Sequence, residues 1–163
     1  MKQGLKTVFL GKELSSPLVL PAGVLDISFS SLFQASSNGA GLVTTKSLTL
    51  EPRKGHEGPV VAEVEGGLLN CMGLCNPGIE EGLEEVRRFR EMSSTAVNVS
   101  IFAADTKGFT ELARRAGTSG ADFIELNLSC PNVSGDFGVP LAGSDKAVAE
   151  IVAAVKKVSP LPV

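Results

Sequence analysis

The chain has 163 residues, 43% of them hydrophobic, and carries a formal net charge of −3 at pH 7. This length provides one core of ordinary domain size and gives no reason to expect a second domain. The acidic balance offers no basic face for nucleic acid, and no apolar run approaches the roughly 20 residues of a membrane-spanning helix. The N-terminal segment lacks the apolar stretch of a secretory signal, so we expect a cytoplasmic location.

Cysteine and histidine are too few for a disulfide framework or a metal centre. The cysteines are Cys71, Cys75 and Cys130, and an odd number without a signal peptide argues against disulfides. No second cysteine pair accompanies Cys71 and Cys75, and the only histidine is His56. A zinc site would need more ligands than this. We therefore expect no bound metal and a structural role for Cys71 and Cys75.

The apolar pattern predicts alternating strands and helices after a short N-terminal hairpin. The predicted hairpin covers residues 5–14, the predicted strands cover 18–20, 42–46, 96–101 and 123–128, and the first three predicted helices cover 30–38, 79–92 and 106–116. A last helix is predicted to be capped by Ser144 or Asp145, with its apolar residues from Val148 to Val158 facing inward. Residues 160–163 resemble the approach to a fifth strand. The long segment 47–78 contains a possible short hairpin, over residues 60–65 and 68–70, and a loop of this length inside a compact domain is usually functional.

This alternation implies a parallel sheet, which fits either an open doubly wound fold or part of a (β/α)8 barrel. No G-x-G-x-x-G sequence follows the first strand, which weighs against a dinucleotide-binding fold. In three strands, polar residues two positions apart share one face near the carboxyl end. These pairs are Thr44 and Lys46, Asn98 and Ser100, and Glu125 and Asn127. Polar strand ends can simply meet solvent, but three in register favour a site at the mouth of a barrel.

Four strand–helix units make half of a (β/α)8 barrel, a fold that usually needs ~250 residues. A half on its own would leave two parallel edge strands unpaired and much apolar surface bare. We therefore expect residues 1–163 to be the N-terminal half of a single barrel domain. Such a half would be a fragment truncated before strand 5, or would pair with another half.

The most specific stretch is Leu-Asn-Leu-Ser-Cys-Pro-Asn, from Leu126 to Asn132. In it a predicted strand ends at an amide, and a thiol follows on a turn held by proline. The amides can hydrogen-bond a planar, imide-like ring, and the Cys130 thiol can act as a general base in its thiolate form. The alternative is a buried, unreactive cysteine, which is the commonest fate of this residue type.

Residues 127–132 resemble the active-site loop of dihydroorotate dehydrogenases, and three more segments agree in order and spacing. Residues 45–53, Thr-Lys-Ser-Leu-Thr-Leu-Glu-Pro-Arg, resemble the family's Thr-Lys-Ser stretch. Residues 70–78, Asn-Cys-Met-Gly-Leu-Cys-Asn-Pro-Gly, resemble its substrate loop. Residues 21–23, Pro-Ala-Gly, stand in the place of its Ala-Ser-Gly flavin turn, without the serine hydroxyl. The chain thus resembles the first half of a class 1 enzyme, a (β/α)8 barrel that uses FMN to oxidise dihydroorotate to orotate in de novo pyrimidine (UMP) biosynthesis.

The resemblance also implies roles for individual residues. Cys130 would be the base that removes a proton from C5 of dihydroorotate while a hydride passes from C6 to FMN, and Lys46 would be catalytic beside it. A lysine on the inner face of a strand is costly unless it meets an anion, which independently supports that role. The implied substrate ligands are Lys46, Asn70, Met72, Gly73, Leu74, Asn127 and Asn132. The implied flavin ligands are Ala22, Gly23, Lys46, Ser47, Asn98 and Asn127, and the family's phosphate site would lie beyond residue 163.

The overall likeness favours the NAD-linked subclass, so we expect a homodimer and an FAD and iron–sulfur electron-transfer subunit as partner. The sequence leaves the electron acceptor open. One rival is a dihydropyrimidine dehydrogenase-like flavoenzyme acting on uracil or dihydrouracil, a family that typically has histidine where this chain has Asn132. A second rival is a non-catalytic half-barrel fragment that only assembles with a partner.

Overall fold

The computed structural model describes residues 5–23, 25–130 and 141–163. In chain order the strands are β1 (Thr7–Phe9), β2 (Lys12–Leu14), β3 (Val19–Leu20), β4 (Leu42–Thr44), β5 (Val61–Val64), β6 (Gly67–Asn70), β7 (Ala96–Ile101) and β8 (Phe123–Leu126). The helices are α1 (Phe29–Ser37), α2 (Ile79–Met92), α3 (Thr106–Ala116) and α4 (Asp145–Val158), and a short 3-10 turn at Leu141–Gly143 precedes α4. Both predicted hairpins, the four predicted strands and the four predicted helices are therefore present.

Strands β3, β4, β7 and β8 form one parallel sheet in that order. Each strand lies beside the one that precedes it in this sheet, whereas a doubly wound sheet reverses its order at a switch point. All four helices pack on the same face of the sheet. The main core contains Val43, Val97, Val99, Ile101 and Ile124 from the sheet, and Leu32, Phe89, Phe109 and Ile151 from α1, α2, α3 and α4. This is the arrangement of half of a (β/α)8 barrel, as the strand patterns predict.

The hairpin β1–β2 covers the other, inner face of the sheet at the amino ends of the parallel strands. Leu14 of β2 packs with Leu42, Ala96 and Phe123 in a small buried cluster. The Phe9 ring meets the Phe123 ring edge-on, with 5.2 Å between the ring centroids. We refer to the cluster of Leu14, Leu42, Ala96 and Phe123 as the floor, because it closes this end of the inner face.

Towards the carboxyl ends of the strands, the inner face becomes polar. Thr44 of β4 is in register with Asn98 of β7, and Ser100 of β7 is in register with Glu125 of β8. Residues in register on neighbouring strands point to the same side of a sheet. The predicted shared face is therefore confirmed for Thr44, Asn98, Ser100 and Glu125, whereas Lys46 and Asn127 lie beyond the ends of β4 and β8.

Local sequence determines where the helices begin. Ser28, Asp105 and Ser144 each accept a hydrogen bond from the backbone N–H three residues further on, which caps α1, α3 and α4. Helix α2 lacks such a cap and begins after Gly78, whose φ of 83° suits glycine. None of the helices in the described part of the chain is long and apolar enough to cross a membrane.

Two strands end earlier than the apolar pattern predicts. The pattern predicts strands over residues 42–46 and 123–128, whereas β4 ends at Thr44 and β8 ends at Leu126. The chain after β8 still follows the sheet, because the Asn127 N–H donates to the carbonyl of residue 101 over 3.0 Å. The early end of β4 has a different cause, an extra residue that shapes the site described below.

The last residues of the chain lie along the free edge of β8. The Ile124 N–H donates a hydrogen bond to the Pro162 carbonyl oxygen over 3.0 Å. A backbone contact of this kind is how a neighbouring strand pairs with a sheet. Residues 160–163 therefore lie where a fifth strand would continue the sheet, as predicted.

Candidate active site

A cavity of about 850 Å³ lies at the carboxyl ends of the parallel strands. Its walls come from the turn after β3, the segment after β4, the end of β8 and the hairpin β5–β6. The lining residues are Ala22, Gly23, Lys46, Ser47, Val61, Leu68, Asn70, Met72, Leu74, Glu125, Leu126, Asn127, Leu128, Ser129 and Cys130. Barrel enzymes carry their active sites at this end of the fold. We therefore take this cavity as the candidate active site.

The cavity brings together nine of the twelve residues predicted to form the site, and the exceptions are Gly73, Asn98 and Asn132. Gly73 is buried behind the wall, where an added Cβ would come within 2.6 Å of His56. Asn98 lies deeper on the inner face and lines two smaller cavities of about 500 and 370 Å³. Asn132 lies outside the described residues, so its role stays a prediction.

An extra residue interrupts the pairing between β7 and the chain that follows β4. The Thr45 N–H donates to the Asn98 carbonyl, and the next such bond runs from the Leu48 N–H to the Ser100 carbonyl. The chain thus advances three residues on one side and two on the other, which defines a bulge. The Thr45 hydroxyl accepts from the Ser100 N–H over 3.2 Å and donates to the Lys46 carbonyl over 3.0 Å. Thr45 thereby satisfies the backbone that the bulge disrupts.

Lys46, on this bulge, places a cation in the cavity wall. The residue is 9% exposed, and within the described residues its ammonium has no hydrogen-bond or ion-pair partner. A buried charge without a counter-charge is unfavourable. The site is therefore suited to a ligand that brings negative charge. The same reasoning supports the predicted role of Lys46, because a lysine on the inner face of a strand is costly unless it meets an anion.

A series of hydrogen bonds joins the ends of β4, β7 and β8 at the cavity. The Ser47 and Ser100 hydroxyl oxygens are 2.9 Å apart, and the Asn127 Nδ2 donates to the Ser47 oxygen over 3.0 Å. The Asn127 Oδ1 accepts from the Ser129 N–H over 3.3 Å. Because both ends of the Asn127 amide are engaged, its orientation in the cavity wall is set by the protein.

Asn98 carries a buried polar atom that lacks a partner. The residue is 8% exposed, and its Nδ2 makes only a long hydrogen bond of 3.4 Å to the Thr44 hydroxyl. Its Oδ1 has no hydrogen-bond partner among the described residues. Unpaired buried oxygens are rare in folded proteins. This oxygen marks a place on the inner face where a ligand or a facing strand has to supply a donor.

The predicted substrate loop, residues 70–78, is held in shape by Asn76. The Asn76 Oδ1 accepts hydrogen bonds from the Thr49 N–H over 3.1 Å and the Gly78 N–H over 2.9 Å. Its Nδ2 donates to the Leu74 carbonyl over 2.8 Å, and the residue is 6% exposed. The Asn-Pro-Gly end of the motif is therefore structural, while the first residues of the loop line the cavity.

Cys130 lies in the cavity wall beside two apolar side chains. It is partly buried and packs against Leu74 and Phe102. Leu74 has a φ of 56°, a left-handed conformation that is strained for leucine. Strain of this kind persists where surrounding contacts fix it, and here the hydrogen bond from Asn76 to the Leu74 carbonyl is such a contact. Cys130 lines the same cavity as Lys46.

Seven residues at the site are not among those predicted from the sequence. Four of them flank Asn127 at the end of β8, namely Glu125, Leu126, Leu128 and Ser129. The other three lie elsewhere. Val61 and Leu68 of the hairpin β5–β6 line the cavity on the same face as Asn70, with which Val61 is in register. The alternation within the hairpin could have indicated this shared face. Phe102 follows an apolar strand and reads as ordinary core, so no sequence signal indicates its contact with Cys130.

Cys71 and Cys75 are absent from the lining of the cavity. Both are free thiols, Cys71 exposed and Cys75 partly buried. An added Cβ on Gly55 would approach the Cys75 Cβ within 2.9 Å, so Cys75 packs closely against that backbone. Across residues 5–23, 25–130 and 141–163, no group of three or more histidine, cysteine, aspartate or glutamate side chains is placed so that it could hold a metal ion.

Comparison with known proteins relates these motifs to one family. The sequence profile of that family, described as dihydroorotate dehydrogenase, matches residues 4–163. The chain belongs to the dihydroorotate dehydrogenase family. The resemblance inferred from the four motifs is confirmed, and residues from all four of those motifs line the cavity described above.

Its curated relatives include archaeal proteins named as the catalytic subunit of dihydroorotate dehydrogenase B (NAD(+)). The one from Methanocaldococcus jannaschii is 40% identical over 162 residues, and the one from Pyrococcus abyssi is 43% identical over 159 residues. Each alignment covers 98% of this chain and 52% of the relative. The chain therefore spans about half the length of the curated relatives it matches.

Comparison with solved structures supports the fold. The crystal structure of DHODH in complex with ferulenol from Eimeria tenella matches with a TM-score of 0.79 and 22% identity, over 96% of this chain and 44% of that chain. At this identity the likeness establishes the fold alone. The four strand–helix units are those of a partial (β/α)8 barrel, so the predicted fold class is confirmed and the open doubly wound sheet is excluded.

Proposed function

We propose that this chain is the N-terminal half of one FMN-binding barrel domain, and that the whole protein oxidises dihydroorotate to orotate in de novo pyrimidine (UMP) biosynthesis. The observation that carries the proposal is the convergence of Lys46, Asn127 and Cys130 in one cavity at the carboxyl ends of the strands. Membership of the family and the names of the relatives support the same reaction.

The described residues fit a flavin ring, and we take FMN as the cofactor. An added Cβ on Gly23 would meet no protein atom within 4 Å, so the turn after β3 offers bare backbone to the cavity. Among the described residues, the Asn98 Oδ1 lacks a donor and the Lys46 ammonium lacks an anion. The residues that would hold the ring are Ala22, Gly23, Lys46, Ser47, Asn98 and Asn127. When bound, FMN supplies the hydride acceptor.

Cys130 would remove the proton that leaves dihydroorotate. The oxidation breaks one C–H bond at C5 and one at C6 and forms a double bond between these two carbons. The C5 proton passes to the Cys130 thiolate, and the hydride departs from C6. Leu74 and Phe102, which pack on the cysteine, place the thiol in a partly water-free setting, and the Lys46 cation would stabilise the negative charge that develops during the reaction.

The substrate would lie between the predicted substrate loop and the end of β8. Asn70 and Met72 face the cavity from one side and Asn127 from the other. Side-chain amides can both donate to and accept from an imide-like ring, while backbone N–H groups and a lysine suit a carboxylate. The proposed substrate ligands are Lys46, Asn70, Met72, Gly73, Leu74, Asn127 and Asn132.

The electron acceptor and the assembly belong to the same proposal. The relatives are named catalytic subunits of an NAD(+)-type enzyme, and a catalytic subunit implies a further subunit. We propose a cytoplasmic homodimer that works with an FAD and iron–sulfur electron-transfer subunit. Co-purification of the tagged full-length protein with a flavin- and iron-containing partner tests this assembly.

The residue that distinguishes the rival uracil-type flavoenzyme by sequence is Asn132, which lies outside the described residues. Substrate assays separate the two reactions, because the proposed enzyme reduces its flavin with dihydroorotate and not with dihydrouracil. A non-catalytic half-barrel would show no flavin absorbance after purification with excess FMN.

The decisive test is Cys130→Ala in the full-length protein that contains this chain. We expect turnover of dihydroorotate to fall by about 100-fold or more, because proton abstraction contributes on that scale, while orotate binding survives. Cys130→Ser should keep some activity, most of it at high pH, since a hydroxyl is a poor base near neutrality. Cys71→Ala, which alters an exposed thiol outside the cavity, is the matched control. Activity of Cys130→Ala within a few-fold of wild type would overturn the assignment.

A further inference from the structure

Asp26 is a buried acid to which neither the family motifs nor the proposed reaction assigns a role. It lies in the connection from β3 to α1 and is 3% exposed. Within the described residues it is the only buried aspartate or glutamate. A buried carboxyl group is unfavourable unless it makes polar contacts, so its contacts indicate why it is there.

Asp26 contacts two segments that line the candidate active site. Its carboxylate Oδ2 accepts a hydrogen bond from the Gly23 N–H, and its backbone carbonyl accepts one from the Lys46 N–H over 2.9 Å. Gly23 belongs to the proposed flavin turn and Lys46 to the bulge after β4, and both line the cavity. Asp26 itself does not line it. One residue behind the wall therefore joins the two segments that would face the ring.

The backbone around Asp26 needs such support. Gly23 has a φ of 108° and Leu25 a φ of 55°. The left-handed region is unfavourable for leucine, and a conformation of this kind persists only where neighbouring contacts fix it. A hydrogen bond from a backbone N–H to a carboxylate is among the stronger ones available. Asp26 supplies it in the middle of this turn.

We infer that Asp26 is a positioning residue of the flavin site, acting through Gly23 and Lys46. This inference rests on the proposed function, because it assumes that FMN is the ring that the two segments hold. The Asp26 carboxylate fixes the turn after β3, and the Asp26 backbone carbonyl fixes the backbone of Lys46. Loss of the side chain would leave the Gly23 N–H without its acceptor and release the turn next to the ring.

The test compares Asp26→Ala with Asp26→Asn in the full-length protein freed of flavin. Asparagine keeps an oxygen that accepts from the Gly23 N–H, whereas alanine removes it. We expect the dissociation constant for FMN to rise about ten-fold in Asp26→Ala and to stay within about three-fold in Asp26→Asn, the scale of losing one charge-assisted bond. Amide hydrogen exchange at Gly23 and Lys46, measured without flavin, should accelerate only in the alanine variant.

Asp105→Ala is the matched control. The Asp105 carboxylate also accepts from a backbone N–H, that of Gly108 over 2.8 Å, but it caps α3 away from the cavity. It should lower the melting temperature without changing the dissociation constant for FMN. If Asp26→Ala does not fold, Asp26→Ser takes its place in the comparison.

The outcomes separate the two levels of inference. A wild-type protein that does not bind FMN overturns the proposed function, and this inference with it. A wild-type protein that binds FMN, with Asp26→Ala binding it as tightly as Asp105→Ala does, overturns the role of Asp26 alone.

Discussion

The Asn127 side chain donates a hydrogen bond of 3.0 Å to the Ser47 hydroxyl, although the two residues are 80 positions apart in the chain. The bond reaches across β7, whose Ser100 hydroxyl lies 2.9 Å from the same Ser47 oxygen. Three strands of the sheet are thus joined by side chains at the cavity. The orientation of Asn127, a proposed ligand of both flavin and substrate, depends on Ser47.

Replacing Ser47 by alanine should therefore affect both stability and binding. The change removes the acceptor of Asn127 and the partner of the buried Ser100 hydroxyl, so we expect a loss of about 1–2 kcal/mol in the free energy of unfolding. The KM for dihydroorotate should rise because Asn127 is no longer fixed. Ser36→Ala, which removes a hydroxyl bonded to the Phe33 carbonyl within α1, should leave KM unchanged. An equal KM in both variants would show that Ser47 is structural only.

A second prediction concerns the bulge after β4. Thr45→Val keeps the shape of the side chain but removes the hydroxyl that bonds the Ser100 N–H and the Lys46 carbonyl. We expect kcat/KM for dihydroorotate to fall about ten-fold, because an unpaired buried N–H costs about 1–3 kcal/mol and Lys46 shifts to relieve it. Thr45→Ser, which retains the hydroxyl, should stay close to wild type. Equal activity of the valine and serine variants would contradict a role of the hydroxyl in placing Lys46.

A third prediction concerns Asn76, whose hydrogen bonds hold the predicted substrate loop in shape. Asn76→Ala leaves the N–H groups of Thr49 and Gly78 without their acceptor, so the free energy of unfolding should fall by about 2–3 kcal/mol. The KM should rise as well, since the loop that carries Asn70 loses its support. Asn38→Ala removes an exposed asparagine bonded to the Gln34 carbonyl and should change neither quantity substantially. Chemical denaturation and steady-state kinetics on both variants make the comparison.

A fourth prediction concerns the two cysteines of that loop. Changing both Cys71 and Cys75 to alanine should leave the reduction of FMN by dihydroorotate nearly intact, because neither thiol lines the cavity. A modest loss of stability is expected from Cys75, which packs against Gly55. Rapid-mixing spectroscopy of flavin reduction measures the effect. Large losses of bound flavin or of bound metal in the double variant would show that the pair is functional.

Much of the fold could be predicted because its elements are periodic. Val43, Val97, Val99 and Ile124 alternate with polar residues along their strands, and these four side chains belong to the core beneath the helices. The helical spacing of Phe109, Leu112, Ala113 and Ala116 predicts that they share the inner face of α3, and all four are buried. Alternation and helical spacing depend only on neighbouring residues, which is why sequence alone is sufficient for them.

The site could be predicted only where a continuous motif carries it. Lys46 and Cys130 stand in recognisable runs of residues, and both lie in the cavity. The bulge at Thr45 gives no such signal, because its two hydrogen bonds depend on a partner strand some 55 residues away. Asp26 is a single acid in a loop, and its importance depends on contacts with segments that fold against it. Neither can be read from local pattern.

The floor of Leu14, Leu42, Ala96 and Phe123 has a consequence for how substrate would reach the proposed site. In this half of the barrel, apolar side chains cover the amino ends of the strands, and the cavity of the candidate site opens at their carboxyl ends. In the proposed enzyme, dihydroorotate would enter and orotate would leave through this same opening. Each orotate molecule would have to leave before the next dihydroorotate enters, so accumulating orotate would slow turnover by occupying the opening of the site.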